Sequence, residues 1–182
     1  MVTLNAPLNH QCAKIHNGMD FICYYDSPLG RMLASSDAEG LTGLWFIGQK
    51  HYADKLSADN EERLTPAIRL ASAWLDMYFS GLVPDITVPL NPRGTGFQKS
   101  VWNALCSIPY GKTESYGSIA ASLGSSARAV GGAVGRNPIS LIIPCHRVIG
   151  ADGSITGYAG GIDRKILLLK AERGSGPVRS DD

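Results

Sequence analysis

The segment Ala127 to Gly135 constrains the fold most, because it reads as a short helix yet carries Gly131, Gly132 and Gly135. Glycine in a helix interior costs about 1 kcal/mol relative to alanine, so this concentration needs a physical reason. Close approach to another backbone is that reason. It admits two settings: the helix lies in a partner's groove, or it packs tightly inside its own domain. The flanks fit a helix-turn-helix. Ser115 can cap a helix Tyr116–Leu123, Gly124 closes it, and Ser125 or Ser126 caps the next helix. The Gly124-Ser125-Ser126 link is short enough for that motif. The second helix presents Ala127, Ala129, Gly131, Gly132 and Ala133, with Arg128 and Arg136 its only long polar groups. Such a face suits a groove that the helix must enter closely, with one arginine as a probe.

A reactive group follows. The apolar run Leu141-Ile142-Ile143 reads as a buried strand leading into Pro144-Cys145-His146-Arg147-Val148. Cysteine is nucleophilic only as thiolate, and an adjacent imidazole or cation lowers a thiol pKa. An exposed Cys145 at the strand end therefore reads as a nucleophile. The competing reading is a core thiol, since free cysteine is among the most buried residue types. Neighbours on an extended segment point to opposite faces, so either the chain bends there or a water bridges Cys145 and His146.

The length of 182 residues allows one large domain or two small ones. Charge divides the chain near Gly94. Residues 1–93 hold 7 Lys and Arg against 10 Asp and Glu, a net of −3, whereas residues 94–170 hold 8 against 3, a net of +5. Such asymmetry points to a polyanionic partner for the second half, or to a solvated basic surface. The first half reads as a small α/β unit with strands near Phe21–Tyr25, Met32–Ser35 and Leu41–Ile47, then a helix from Pro66 to about Ser80 capped by Thr65. Val83–Thr95 reads as a linker, Phe97–Ile108 as the first helix of the second half, and residues 174–182 as a flexible tail. The expected domains are therefore 1–93 and 94–173. No stretch approaches the roughly 20 apolar residues of a membrane span, and Met1–Asp20 lacks the layout of a secretory signal. Cys12, Cys23, Cys106 and Cys145 show no paired spacing, which points to reduced thiols and a cytoplasmic location. His10, Cys12, His16 and Cys23 match no standard zinc spacing, so neither a metal nor an organic cofactor is expected. Cys106 reads as a core or half-buried thiol.

Four blocks in order resemble one family: Arg128-Ala129-Val130-Gly131-Gly132-Ala133, Asn137-Pro138, Ile143 to Gly150, and Thr156-Gly157-Tyr158-Ala159-Gly160-Gly161. Phe97-Gln98, Val101-Trp102, Ile108-Pro109-Tyr110-Gly111, Ser115-Tyr116-Gly117, Leu168-Leu169 and Glu172 extend the match. The chain resembles the O6-alkylguanine-DNA alkyltransferases, densely from Gly94 to Glu172 and thinly before that, through Asp26-Ser27-Pro28-Leu29-Gly30. Among these it looks most like the bacterial constitutive single-chain type. The resemblance implies a ribonuclease H-like α/β N-terminal domain and a mainly helical C-terminal domain carrying the reactive cysteine. It implies DNA repair by stoichiometric transfer of an alkyl group from O6-alkylguanine, and as a further candidate O4-alkylthymine, to Cys145. By position, His146 activates Cys145 through a water, Glu172 orients His146, Tyr116 donates to the leaving guanine, and Asn137 holds the turn before the cysteine. Arg128 replaces the flipped nucleotide in the stack, and Ala127, Ala129, Gly131, Gly132 and Arg136 complete the DNA-binding helix in the minor groove. Val148, Tyr158, Ala159 and Gly160 line the alkyl pocket. The implied partner is double-stranded DNA, met by a free monomer that is able to assemble cooperatively along it.

Ala159 stands where some members carry serine, which shifts hydrogen bonding of the leaving oxygen to backbone N–H groups and leaves room for larger alkyl groups. Taken without the family, Glu172 reads instead as a surface helix residue near a fraying end. A cysteine hydrolase using Cys145, His146 and Glu172 is a rival, but it needs an oxyanion hole for which the sequence offers no evident donors. A protein that binds alkylated bases without transfer is another, and Cys145 weighs against it.

Overall fold

The computed structural model describes residues 18–174 and 176–178. The expected β-rich start is present as β1 (Asp20–Ser27), β2 (Gly30–Ser36) and β3 (Leu41–Phe46). β1 and β2 form an antiparallel hairpin whose register closes at Ser27 opposite Gly30, where Gly30 takes a φ of +112°. That left-handed backbone is what glycine permits without steric cost. A short β4 (Asn60–Glu62) pairs parallel to β1, completing the sheet in the order β3-β2-β1-β4. Its exposed Asn-Glu-Glu sequence has no apolar alternation to announce a strand.

Helix α1 (Pro66–Phe79) packs Ile68, Ala71, Leu75 and Tyr78 into the core. Thr65 caps it by accepting from the Ile68 N–H at 3.3 Å. The following segment is not a free linker. Leu41 N donates to Pro89 O at 2.8 Å and Asn91 N to Leu41 O at 2.8 Å, so it runs along the outer edge of β3. A Cβ at Gly40 would lie 2.5 Å from Pro89 O, which explains a glycine at that close approach. Arg93 ends this segment on the buried carboxylate of Asp20, at 2.7 and 2.8 Å.

Helix α2 (Gly96–Cys106) starts at a capping box formed by Thr95 and Gln98. The two-residue β5 (Glu114–Ser115) leads into α3 (Tyr116–Ser122), capped by Ser115, and α4 (Ala127–Val134), capped by Ser126. Gly124, at φ +60°, makes the turn between them. The buried face of α4 is Val130, Ala133 and Val134, and Trp102 of α2 donates to Ala133 O at 2.9 Å.

The expected strand at Leu141–Ile143 is absent. All three side chains are buried, but Leu141 has a φ of +70° and the backbone bonds locally, Ile143 N to Ile139 O and Cys145 N to Ile143 O. A short apolar run carries no period that separates a strand from a buried turn. Cys145–Arg147 form a single 3₁₀ turn, which bends the chain between Cys145 and His146. β6 (Val148–Ile149) pairs parallel to β5, and α5 (Ile162–Gly174) closes the fold. The free tail expected from residue 174 is corrected as far as Val178, which is buried and whose N–H donates to Phe79 O at 3.2 Å; residues 175 and 179–182 lie outside the described residues. One apolar core runs through both halves, from Leu29 through Val101 to Val178.

Candidate active site

Asn137 builds the turn that carries the thiol. Its Nδ2 donates to Ile139 O at 3.1 Å and Ile143 O at 2.8 Å, while its Oδ1 accepts from Ile139 N at 3.0 Å. The side chain thus replaces the neighbouring strand that these buried backbone groups lack. The same Nδ2 donates to Cys145 Sγ at 3.0 Å. Cys145 is buried, contrary to the exposed cysteine that the sequence suggested. Burial pushes its pKa up, and neither the Asn137 hydrogen bond nor the nearby Lys165 charge cancels that. The thiol therefore rests protonated, and the adjacent cationic residues do not depress it as their sequence proximity implied.

His146 lies on the other side of the bend. Its Nε2 is 2.7 Å from Glu172 Oε1, with both side chains buried. Oε1 also accepts from Tyr78 Oη at 2.8 Å and Arg147 Nη2 at 3.0 Å. Oε2 accepts from Arg147 Nε at 2.9 Å and Gly111 N at 3.0 Å. Burial alone would raise the Glu172 pKa, but the hydrogen bonds from His146 and Arg147 and the Arg147 charge outweigh it and hold the carboxyl at about 2. Burial lowers the His146 pKa, so the ring is neutral. An ionised carboxylate only accepts, which assigns the proton to Nε2 and leaves Nδ1 as the acceptor. Nδ1 is buried and has no hydrogen-bond partner among the described residues. Glu172 is thus no surface residue; it orients the ring, and the ring presents its basic nitrogen.

Cys145 borders a cavity of about 590 Å³. Gly131, Gly132, Val134, Gly135 and Arg136 form the α4 side of the cavity. Tyr116, Gly157, Tyr158 and Ala159 form another, and Lys50 and His51 a third. The Tyr116 hydroxyl donates to Thr156 O at 3.4 Å. The glycines face this space rather than a tight internal contact. A Cβ at Gly131 would meet Tyr116 at 3.8 Å and one at Gly132 would meet Arg136 at 3.9 Å, both ordinary contacts. Of the two settings considered for this helix, internal packing therefore does not require glycine at these two positions.

Other expected site residues lie elsewhere. Ala127, Arg128 and Ala129 are exposed on the first turn of α4, outside the cavity wall. Val148 is fully buried and reaches the cavity by no surface; its carbonyl accepts from Lys165 Nζ at 2.5 Å. Gly160 is also behind the wall, where a Cβ would lie 2.6 Å from the Tyr158 ring. Cys106 is half-buried, and burial raises its pKa, as suits an inert thiol. His10, Cys12 and His16 lie outside the described residues; among those described, no His, Cys, Asp and Glu cluster is arranged to hold a metal.

Lys165 escaped the sequence reading. Its buried Nζ donates to Val148 O, to Thr156 O at 2.7 Å and to Gly157 O at 3.3 Å, fastening the Thr156–Gly157 loop to β6. Burial lowers its pKa to about 8. A signal was present: Lys165, Leu168, Leu169 and Glu172 share one face of a helix by their spacing, so Lys165 sits at a core position. Lys50 and His51 gave no such signal, being brought to the cavity only by the tertiary fold.

Residues 22–92 match the family model "6-O-methylguanine DNA methyltransferase, ribonuclease-like domain", and residues 96–174 match "6-O-methylguanine DNA methyltransferase, DNA binding domain". A methylated-DNA–protein-cysteine methyltransferase of Methanosarcina acetivorans is 47% identical over 156 residues, covering 84% of this chain and 97% of the relative. That of Haemophilus influenzae is 41% identical over 157 residues, covering 84% and 86%. A crystal structure of Mycobacterium tuberculosis OGT in complex with DNA superposes with a TM-score of 0.76 at 42% identity, covering 87% of this chain and 95% of that one. No helix among the described residues is long and apolar enough to cross a membrane. The ribonuclease-like sheet, the helix-turn-helix and the Cys145 turn held by Asn137 thus lie within the matched residues, and the chain belongs to the O6-methylguanine DNA methyltransferase family.

Proposed function

We propose that this protein repairs DNA by moving the alkyl group of O6-alkylguanine onto Sγ of its own Cys145, once per molecule. The observation that carries the reading is Cys145 at the edge of a cavity walled by the glycine face of α4, backed by Asn137 and a neutral His146 oriented by Glu172. The target carbon is inaccessible within a duplex, so the base must leave the stack, at a cost of a few kcal/mol. Arg128, exposed on the first turn of α4, then fills the vacated space from the minor groove, and the exposed, small Ala127 and Ala129 support close contact there. Once the base is bound, the Cys145 proton passes to His146 Nδ1 through a water. Sulfur attacks the alkyl carbon, the C–O bond breaks, and its electron pair leaves on guanine. Tyr116, on the cavity wall, donates to the departing base, and N–H groups of the Thr156–Ala159 loop meet its oxygen in place of the serine hydroxyl. The product is a thioether with no leaving path, so turnover ends.

The same reading takes the protein as a constitutive single-chain type that is a monomer when free. Relatives of comparable identity are archaeal as well as bacterial. The unpaired Cys23, Cys106 and Cys145 suit a reducing cytoplasm. Incubation with duplex DNA containing O6-methylguanine, followed by intact-mass measurement, tests the reading. One methyl group is gained by the wild type and none by Cys145→Ala. Multiple turnover, or binding without a mass change, would overturn it.

A further inference from the structure

The acidic N-terminal half contributes two basic residues to the cavity. Lys50 and His51 border the same space as Cys145, with Arg136 of the other half also on its rim. Lys50 and Arg136 are exposed, so their charges meet solvent at the mouth rather than the buried wall. The segment that carries them is tightly held. Lys50 N donates to Ala159 O at 3.0 Å, tying it to the loop beside the thiol. Gln49 is buried, and its Oε1 accepts from Phe46 N at 2.9 Å and Ser140 Oγ at 3.3 Å. His51 adopts a φ of +59°, a left-handed backbone that a non-glycine residue takes at an energetic cost, and its Nδ1 is 2.8 Å from Asp54. Such strain persists where surrounding structure enforces it, and it concentrates at binding sites.

A base entering this cavity brings its own flanking phosphates to the mouth. We propose that Lys50 and His51 of the N-terminal domain, facing Arg136, hold the DNA phosphate adjoining the flipped nucleotide, so that this domain is part of the DNA-binding surface. The inference rests on the alkyl-transfer reading above. A phosphate fits because the rim supplies a point charge from Lys50 and a planar cation from Arg136, with the His51 imidazole bordering the same cavity.

The test compares single-turnover alkyl transfer from two substrates: duplex DNA carrying O6-benzylguanine and the free base O6-benzylguanine, which has no phosphate. For Lys50→Ala/His51→Ala the ratio of the DNA rate to the free-base rate falls roughly tenfold, as expected for losing a charge-assisted contact. The salt slope of duplex binding becomes shallower by about one. Lys50→Gln alone, a change of one exposed side chain, gives part of the same fall. Neutral methylphosphonate linkages on either side of the lesion abolish the difference between wild type and variant. An unchanged ratio, an equal loss on both substrates, or a difference that survives the methylphosphonates overturns the proposal. Wild type that transfers from neither substrate instead overturns the alkyl-transfer reading itself.

Discussion

At the scale of single residues, Glu172 sets the state of the site. It is a buried carboxylate whose partners, His146, Arg147, Tyr78 and the Gly111 N–H, all donate to it. Its folded pKa of about 2 lies below the ordinary carboxyl value of 4.5, so its contribution to stability is present above pH 4.5 and is lost as pH falls toward 2. His146 acts in the same direction. Its folded pKa is depressed by burial, so below the ordinary imidazole value of 6.5 the unfolded chain binds a proton that the native one resists. Stability therefore falls progressively on acidification from 6.5. Glu172→Gln is expected to cost about 3 kcal/mol at pH 7, because it leaves the Arg147 charge buried without its counter-ion. It also flattens the acid dependence between pH 4.5 and 2 and slows alkyl transfer. Urea titrations across pH, together with single-turnover rates, check this; a variant with the wild-type acid profile would refute the assignment. Little of this network was legible beforehand. The Cys-His-Arg order is visible in sequence, but the Glu172 carboxylate that gathers it also accepts from α1 and the Pro109–Gly111 turn, far away in sequence. Sequence proximity suggested an activated thiol, whereas burial gives a protonated one.

At the scale of elements, α4 separates packing from function residue by residue. Val130, Ala133 and Val134 hold it in the core, while Gly131 and Gly132 leave room in front of Cys145. Neither added Cβ would meet a neighbour closer than 3.8 Å. Gly131→Ala or Gly132→Ala should therefore raise stability by up to about 1 kcal/mol through helix propensity, while slowing reaction with duplex DNA. The urea midpoint and the single-turnover rate report the two effects separately. A rate that stays at the wild-type value would remove the glycines from the binding face. Helices of this chain were readable because their ends carry chemistry: Thr65, Ser115 and Ser126 each accept a backbone N–H. Elements without such marks were missed or mistaken. β4 is three polar residues recruited by β1, and the buried run Leu141–Ile143 owes its turn to the distant logic of the Asn137 side chain.

For the molecule as a whole, the two halves are joined where the site is built. Leu44 N donates to Pro138 O and Ser140 N to Leu44 O, each at 2.8 Å, so the segment beginning at Asn137 lies along the edge of β3. The N-terminal sheet thereby fixes one end of the turn that carries Cys145, and Tyr78 of α1 fixes Glu172 from the opposite side. The bidentate pair of Arg93 with Asp20 holds the connecting segment on this frame. Asp20 has a side chain 0% exposed and that of Arg93 is 33% exposed, so removing the guanidinium leaves a buried carboxylate short of its main partner. Arg93→Ala is expected to cost about 2 kcal/mol, less than for a fully buried pair because water reaches part of the arginine. Because one core spans both halves, the loss should appear in the whole chain at once. Trp45 and Trp74 report on the first half and Trp102 on the second. Variants keeping only Trp102, or only the first-half tryptophans, should give coincident urea transitions that shift together on Arg93→Ala. A shift confined to the first-half probes would mean that the halves unfold independently, and that the sheet does not hold the reactive turn.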